Sequence, residues 1–250
     1  MAMTRLLPLV ACALFLPVLS LADESPALAP RLPDGQEAGE LVPLRLCVEI
    51  WEAPALEIAK RVDEMRGAES LAKLRAACLA GVPDVSLVFS SVVSLDGASK
   101  TTVESITERI YPTDYSPPSS LPSSSPSSDQ PKNWKEVLEK ALSEGATPGS
   151  FETRNTGLTQ EVQVEKAKNV EKSWDVALAI DDVRMVGTET FGPNLLKFTM
   201  PSFTSFRGVH QVRLKEGQWR LLSVMEPPRG MEGKPSTRRW MTLVRIDPEE

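Results

Sequence analysis

The single histidine of the chain, His210, is the first side chain whose type could support chemistry. It lies in an alternating run of apolar and polar residues, so we expect it on a β-strand. A general base must lie within hydrogen-bond reach of a serine or cysteine nucleophile, and no nucleophile motif accompanies this residue. The sequence therefore predicts an exposed strand side chain at position 210 and no catalytic residue.

Metal ligands and cofactor loops are the next chemistry to consider. Structural zinc needs four closely spaced Cys or His ligands, and Cys47, Cys78 and His210 lie far apart in the sequence. Asp181 and Asp182 could suggest a hard cation, but neighbours on a strand point to opposite faces, so we expect a solvated face or a turn edge. No glycine loop has the strand-to-helix setting that cradles phosphate. We therefore expect no metal, no cofactor and no enzymatic activity.

Cys47 and Cys78 form a candidate disulfide. In an oxidising compartment it would close a loop of ~30 residues and stabilise the fold by about 3–4 kcal/mol on the chain-entropy estimate. The alternative is two buried free thiols. Sequence spacing does not show whether the two Cα atoms approach closely enough for a bond, so both interpretations stand.

Tryptophans and basic residues have structural explanations. Trp174 and Trp219 fall in alternating strands, where core packing accounts for them better than carbohydrate stacking. A basic group near the C-terminus could meet an acidic partner, although such a group more often forms a solvated loop edge. Its members are Arg229, Lys234, Arg238 and Arg239. The net charge of −6 argues against a nucleic-acid-binding surface.

The N-terminus has the features of an export signal. A positive residue precedes an apolar run over residues 6–21, and a small residue, Ala22, ends it. This pattern is typical of a secretory signal peptide, which we assign to residues 1–22. Leu9 to Cys12 also resembles a lipoprotein cleavage box, so a lipid anchor on Cys12 is the alternative. Either way we expect an exported protein of the periplasm or outer membrane.

Composition divides the exported chain into three kinds of sequence. Residues 23–43 are rich in Pro, Ala and acidic residues without an apolar period, which predicts a flexible leader. Residues 44–247 carry the apolar patterns of a folded domain. Eight serines and five prolines fill residues 116–131, and this composition predicts a solvated linker that interrupts the domain.

Apolar periodicity predicts a mostly β domain with two or three flanking helices. Strands are expected over residues 44–51, 85–94, 100–111, 151–165, 173–186, 203–215, 218–225 and 239–246. Helices are expected over residues 54–66, 68–80 and 133–143. Asp96-Gly97 and Glu216-Gly217 each separate two strands, so we expect a β-hairpin at each. The predicted fold class is α+β, mostly β, with an antiparallel β-meander.

Several segments, taken in order, resemble the secretin domain of type II and III secretion proteins. Residues 85–106 resemble its paired strands around a Gly-containing dipeptide, here Asp96-Gly97. Residues 110–118 follow and are similar to a stretch of secretin-like proteins of the Planctomycetes and Verrucomicrobia group.

Two later segments extend the resemblance. Gly157 and Leu158 match the Gly and the apolar residue that precede a long strand in secretins. Glu216-Gly217-Gln218 is similar to the family's Asp-Gly-Gln turn, and a closing strand follows it. Together the matched segments span residues 44–247.

The resemblance implies a secretin-type domain in the cell envelope. It implies a non-enzymatic structural or assembly component of a secretion or pilus-type apparatus, with envelope proteins or further copies of itself as partners and an association with the outer membrane. Residues 227–237 are short and charged where secretins carry a Pro-Leu-Gly-rich gate. This departure motivates the alternative of a monomeric periplasmic binding or accessory module that keeps the fold without a channel. An exported hydrolase is the least supported hypothesis, because no nucleophile motif or metal site supports it.

Overall fold

The computed structural model describes residues 42–97, 100–118, 134–192 and 197–249. The predicted signal peptide with Cys12, nearly all of the leader and all but the first three residues of the Ser/Pro linker lie outside these ranges. Among the residues described, none of the helices has both the length and the apolar character that a membrane span requires.

The described residues form ten strands, three α-helices and one short 3-10 helix. The strands are β1 (Pro43–Pro54), β2 (Ser86–Asp96), β3 (Lys100–Pro112), β4 (Tyr115–Ser116), β5 (Thr147–Pro148), β6 (Phe151–Lys166), β7 (Ser173–Phe191), β8 (Phe198–Lys215), β9 (Arg220–Met225) and β10 (Arg238–Pro248). The helices are α1 (Ala55–Arg61), the 3-10 helix (Glu64–Arg66), α2 (Ala68–Leu79) and α3 (Trp134–Glu144). All the strand pairs are antiparallel, so the expected α+β, mostly β class is confirmed.

Eight strands form two four-stranded sheets that pack face to face. Sheet A has the order β2-β1-β10-β9 and sheet B the order β3-β6-β7-β8, while β4 and β5 form a separate short ladder. Alternate side chains of each sheet enter a shared core, as period-2 patterns require. The most enclosed of them, 0–1% exposed, include Leu46, Val48 and Ile50 of β1 and Val176, Leu178 and Ile180 of β7. Burying each such side chain contributes about 1.5–3 kcal/mol.

Helices cover the other face of sheet A and make a third layer. The β1 residues that alternate with the sandwich core, such as Trp51 and Ala53, pack against Ile58 of α1 and Leu71 of α2. Gly81 follows α2 with φ of +97°, a backbone conformation that glycine adopts readily and that ends the helix.

Both predicted hairpins are wrong, because the chain crosses between the sheets at each turn. β2 and β3 flank Asp96-Gly97, but β2 pairs with β1 in sheet A and β3 pairs with β6 in sheet B. β8 and β9 flank Glu216-Gly217, but β8 pairs with β7 and β9 with β10. Strand alternation and a turn signal establish a local reversal, but they do not determine which sheet supplies the next partner.

The two crossings meet at one side chain, Trp174 at the start of β7. Its indole N–H donates to a carboxylate oxygen of Glu216 at 2.9 Å. A Cβ atom at Gly97 would lie 3.0 Å from its ring, so glycine allows the first crossing to pass close to the indole. The Gly97 N–H also donates to the Val42 carbonyl at 3.0 Å. The sheets are therefore joined at this end of the sandwich.

The first and last strands of the described domain lie side by side. β1 and β10 pair along their length, from Leu44 opposite Pro248 to Pro54 opposite Arg238. The Glu249 N–H then donates to the Pro43 carbonyl at 2.9 Å. The chain therefore enters and leaves the domain at the same end.

Beyond the sandwich, β6–β7 pairing ends at Gly157 opposite Val183, and the β3–β6 and β7–β8 ladders continue as two separate pairs that together we call the arm. The arm consists of residues 105–112 of β3, 151–157 of β6, 184–191 of β7 and 198–205 of β8. None of these residues is buried, whereas β7 nearer the crossings is almost wholly buried. The arm exists because β7 and β8 run for 19 and 18 residues while β1 and β10 have only 12 and 11.

Candidate interaction surface

The residues matched to the secretin family fall into two separate places. Gly157 and Leu158 stand at the root of the arm, where Leu158 packs against the sandwich core. Gly157 has φ of +121°, and a Cβ atom there would lie 2.1 Å from the Ser105 carbonyl oxygen of β3. Only glycine allows the β3–β6 ladder to close at this point.

The other matched residues lie at the crossings, at the opposite end of sheet B. Asp96 ends β2 and Gly97 follows it, while Glu216 and Gly217 form the second turn. The Gln218 N–H donates to the Lys215 carbonyl at 3.2 Å, which closes that turn. The structure brings these five positions together around Trp174, and it does not bring them to Gly157 or Leu158.

Among the described residues, sheet B has two long open edges, β3 with 13 residues and β8 with 18. An edge strand presents unpaired backbone N–H and C=O groups that can pair with another strand. Apolar side chains are also exposed beside the β3 edge. Val103, Ile106, Ile110 and Phe151 are the large ones.

In the arm, the two edges of sheet B approach each other. The rings of Tyr111 on β3 and Phe203 on β8 lie 5.6 Å apart between centroids, at 52°. The Arg154 guanidinium on β6 lies 5.0 Å from the centre of the Phe203 ring. β6 and β7 are not paired in the arm, because their ladder ends at Gly157 opposite Val183. The ring contact therefore shows that the β3–β6 ladder and the β7–β8 ladder pack against each other after they part.

A second ring contact covers the end of the β8 edge. Tyr115 of β4 lies 4.8 Å from Phe198, which in turn lies 5.7 Å from Phe191 across the β7–β8 ladder. The Tyr115 hydroxyl donates to the Thr199 carbonyl of β8 at 2.8 Å. We call the residues of both contacts the aromatic cluster. They are Tyr111, Tyr115, Arg154, Phe191, Phe198 and Phe203.

The sequence patterns did not reveal the aromatic cluster. The available signal was the presence of aromatic residues in strands that are otherwise rich in Thr, Glu and Ser, because such strands have no buried face to place them in. Alternation assigns each ring to a face of its own strand. It does not report how the two ladders of the arm pack against each other.

His210 is half-buried, which corrects the expectation of an exposed side chain. It lies on the core-facing side of β8, opposite Leu178. A Cβ atom at Gly208 would lie 3.0 Å from its Nε2 atom, so the glycine leaves space for the imidazole. Nε2 is buried without a hydrogen-bond partner among the described residues. Burial accordingly lowers the pKa of His210.

Asp181 and Asp182 point to different partners, as their adjacency on a strand predicts. Asp181 accepts from Arg207 at 2.6 Å and Asp182 from Arg184 at 2.7 Å. The expectation of a solvated face is wrong for Asp182, which is only 7% exposed. Within the described ranges, no group of three or more His, Cys, Asp or Glu residues could hold a metal ion.

Cys47 and Cys78 are free, half-buried thiols in the structure. Burial raises the pKa of Cys78, and burial together with the nearby Asp247 carboxylate raises that of Cys47. Both side chains pack beside the cluster between sheet A and the helices. A disulfide between them stays a prediction for the oxidised protein, which thiol titration would test.

Contacts within the domain account for Trp174, Trp219 and the basic group near the C-terminus. Trp174 and Trp219 are buried, as core packing predicts. Each member of the basic group contacts a group of the domain itself. Arg229 pairs with Glu226, Lys234 with Glu232 and Arg238 with Glu52, while Arg239 donates to the Ser236 carbonyl.

No family model and no curated protein matches the chain. Three solved structures to which it is similar are secretins. The type II secretin GspD of enteropathogenic Escherichia coli shares 11% identity over 85% of this chain and 70% of that one, with a TM-score of 0.38. The InvG secretin domain of the Salmonella SPI-1 injectisome shares 8% identity over 85% of this chain and 64% of that one, with a TM-score of 0.40. The type IV competence pilus secretin PilQ of Vibrio cholerae shares 12% identity over 84% of this chain and 62% of that one, with a TM-score of 0.41. The chain thus spans less than two thirds of the InvG and PilQ structures.

Proposed function

We propose that this chain is a non-enzymatic component of the cell envelope that assembles with further copies of itself through the edges of sheet B, within a secretion or pilus-type apparatus. The observation that carries the proposal is the arm, two ladders that have no buried residue and whose strands β3 and β8 have a free edge among the described residues. The sequence resemblance to secretins and the export signal predicted over residues 1–22 support it.

The physical argument is that the arm lacks a core of its own. Strands whose faces are both exposed bury too little apolar surface to be stable alone, and pairing with another strand supplies both backbone hydrogen bonds and apolar contact. Joining β3 of one copy to β8 of the next is a head-to-tail contact, and head-to-tail contacts close into rings when their rotation permits.

The test is expression of the full chain with its own signal in a Gram-negative host. Inner membrane, outer membrane and soluble periplasm are separated, and unboiled and boiled samples are compared by gel electrophoresis. We expect a heat-sensitive, high-mass band in the outer membrane fraction. A single monomer band in the soluble periplasm would refute the proposal.

A matched pair of variants separates strand pairing at the edge from non-specific apolar association. Ile110 on the β3 edge is 72% exposed and Leu56 on α1 is 66% exposed. Ile110→Lys places a charge on the edge strand, so it should strongly reduce the high-mass band. Leu56→Lys removes a similar exposed apolar side chain from a helix and should leave the band unchanged. Equal effects would argue against pairing at the edge.

One observation favours the alternative of a monomeric periplasmic module. The two edges of the arm already contact each other within one chain, through Tyr111 and Phe203. If this contact persists under all conditions, the edges are unavailable to another copy. The fractionation experiment decides between the two functions.

A further inference from the structure

We infer that the aromatic cluster is an exchangeable contact: the side chains that join β3 to β8 within one chain join β3 of one copy to β8 of the next copy on assembly. This inference rests on the proposed self-assembly and names the residues that carry it. The partner is therefore a second copy of this chain.

The first argument is complementarity between the two edges. Tyr111 on β3 contacts Phe203 on β8, and the Arg154 guanidinium lies over the same Phe203 ring. Tyr111 and Arg154 belong to the β3–β6 ladder and Phe203 to the β7–β8 ladder, and the two ladders are not paired with each other in the arm. A contact that fits between the two ladders of one chain fits equally between the β3–β6 ladder of one copy and the β7–β8 ladder of another.

The second argument is that the contact within one chain and the contact between two copies cannot exist at once. The Tyr115 hydroxyl donates a hydrogen bond to the Thr199 carbonyl, a backbone acceptor of β8, and the Tyr115 ring lies beside the Phe198 ring. A strand from a second copy would have to take the place of Tyr115 at this part of β8. Assembly therefore requires the internal contact to open.

The third argument compares the interactions that β3 and β8 make within one chain with those that they would make between two copies. Within the part of the chain that the structure describes, β3 pairs with β6 alone and β8 with β7 alone, so β3 and β8 meet through side chains. Pairing between copies would retain ring contacts and add a ladder of backbone hydrogen bonds. At high local concentration the exchange favours assembly, and on dilution the internal contact returns.

The arm also has two irregularities at its root where its curvature can change. Gly157 interrupts the regular backbone of β6, and the β7–β8 register shifts between Met185 and Gly187. Gly157 lies opposite Val183, two residues from Met185, so both irregularities stand at one level of the sheet. Bulges of this kind bend strands locally.

The first experiment tests the internal contact without reference to assembly. Tyr111 and Tyr115 are the only two tyrosines of the chain, so labelling with 3-fluorotyrosine gives two ¹⁹F resonances. In dilute, monomeric protein, Phe203→Ser should shift the Tyr111 resonance and Phe198→Ser should shift the Tyr115 resonance. Leu214→Val, which changes the sandwich core at the crossing end of β8, should shift neither. Resonances that do not respond to either Ser variant would overturn the internal contact.

The second experiment tests the exchange. Tyr111→Cys and Phe203→Cys are introduced into a background with Cys47→Ser and Cys78→Ser, and a short thiol-to-thiol cross-linker is added. With both changes on one monomeric chain, we expect an internal link. With the two changes on separate chains that have been assembled together, we expect linked dimers at a yield at least tenfold above a Leu56→Cys and Phe203→Cys control.

The outcomes distinguish this inference from the function on which it rests. An assembled sample that gives no linkage above the control would overturn the exchange while self-assembly stands. Protein that never assembles would refute the proposed function and the exchange together, and the fluorine spectra would still report whether the edges touch within one chain.

Discussion

At the scale of single residues, Glu49 shows how the helical layer is fixed to sheet A. This carboxylate is 4% exposed in the middle of β1. It accepts from Arg75 Nε at 2.7 Å and from the Trp51 indole at 2.8 Å, and the Arg75 guanidinium lies 4.3 Å from the centre of the Trp219 ring. The hydrogen bonds from Arg75 to Glu49 raise the pKa of the guanidinium, so the Arg75 side chain stays charged.

Removing Arg75 should be costly. Arg75→Ala leaves the Glu49 charge buried without its partner, and we expect the free energy of unfolding to fall by about 3–5 kcal/mol. Lys73→Ala is the control in the same helix, because it removes only an exposed pair with Glu69 and should cost less than about 0.5 kcal/mol. Urea denaturation measures both. Similar losses for the two variants would contradict the role assigned to the buried pair.

His210 makes stability depend on pH over a defined range. Burial lowers the pKa of the folded state below the unfolded value of about 6.5, so the unfolded chain takes up the proton first as the pH falls. Its contribution is fully present above the unfolded pKa and is lost as the pH falls toward and through the folded pKa.

The chain has no other histidine, so this effect is assignable. We expect the wild-type chain to lose more unfolding free energy between pH 7.5 and pH 5.5 than His210→Gln does, as measured by urea denaturation at each pH. If the variant has the same pH dependence as the wild type, the imidazole is not responsible for it.

At the scale of secondary-structure elements, Gly157 and Gly217 are a matched pair of positive-φ glycines. Gly157→Ala would drive a methyl group into the Ser105 carbonyl, whereas a methyl group at Gly217 meets no atom within 4 Å. We expect Gly157→Ala to open the β3–β6 ladder and to destabilise the protein by several times the cost of Gly217→Ala, which is about 1 kcal/mol for the backbone strain alone. Thermal unfolding measures the difference, and equal midpoints would contradict it.

The elements themselves were largely predictable from the sequence. The alternation of Leu44, Leu46 and Val48 identifies β1, and it also identifies which of its faces enters the sandwich, because the period of a strand is two residues. The partner of each strand was not predictable. Asp96-Gly97 gives the signal of a hairpin, yet its strands belong to different sheets, because pairing is decided by contacts far apart in the sequence.

The candidate site was less predictable than the fold. Gly157 was identifiable as a special position from the resemblance, and the structure adds the reason, a close approach to β3. The contact between Tyr111 and Phe203 depends on how the β3–β6 and β7–β8 ladders pack after they part. No local pattern around either residue encodes that packing, so sequence reasoning did not find it.

At the scale of the whole molecule, the sandwich and the arm should differ in local stability. Strands such as β1 and β10 are enclosed on both faces, while the arm has no buried residue. Local opening costs little where few apolar contacts are lost. We expect amides of residues 184–191 and 198–205 to exchange with deuterium much faster than those of residues 174–182 in the monomer. Uniform protection across β7 would contradict this division.

The adjacent ends of β1 and β10 have a mechanical consequence. A load applied at Pro43 and Glu249 acts across neighbouring antiparallel strands at the end where both are attached, so it separates their hydrogen bonds one pair at a time. Peeling of this kind resists force far less than sliding strands past each other, which breaks many bonds at once. The domain is therefore stiff against loads along its strands and compliant against a pull on its two ends.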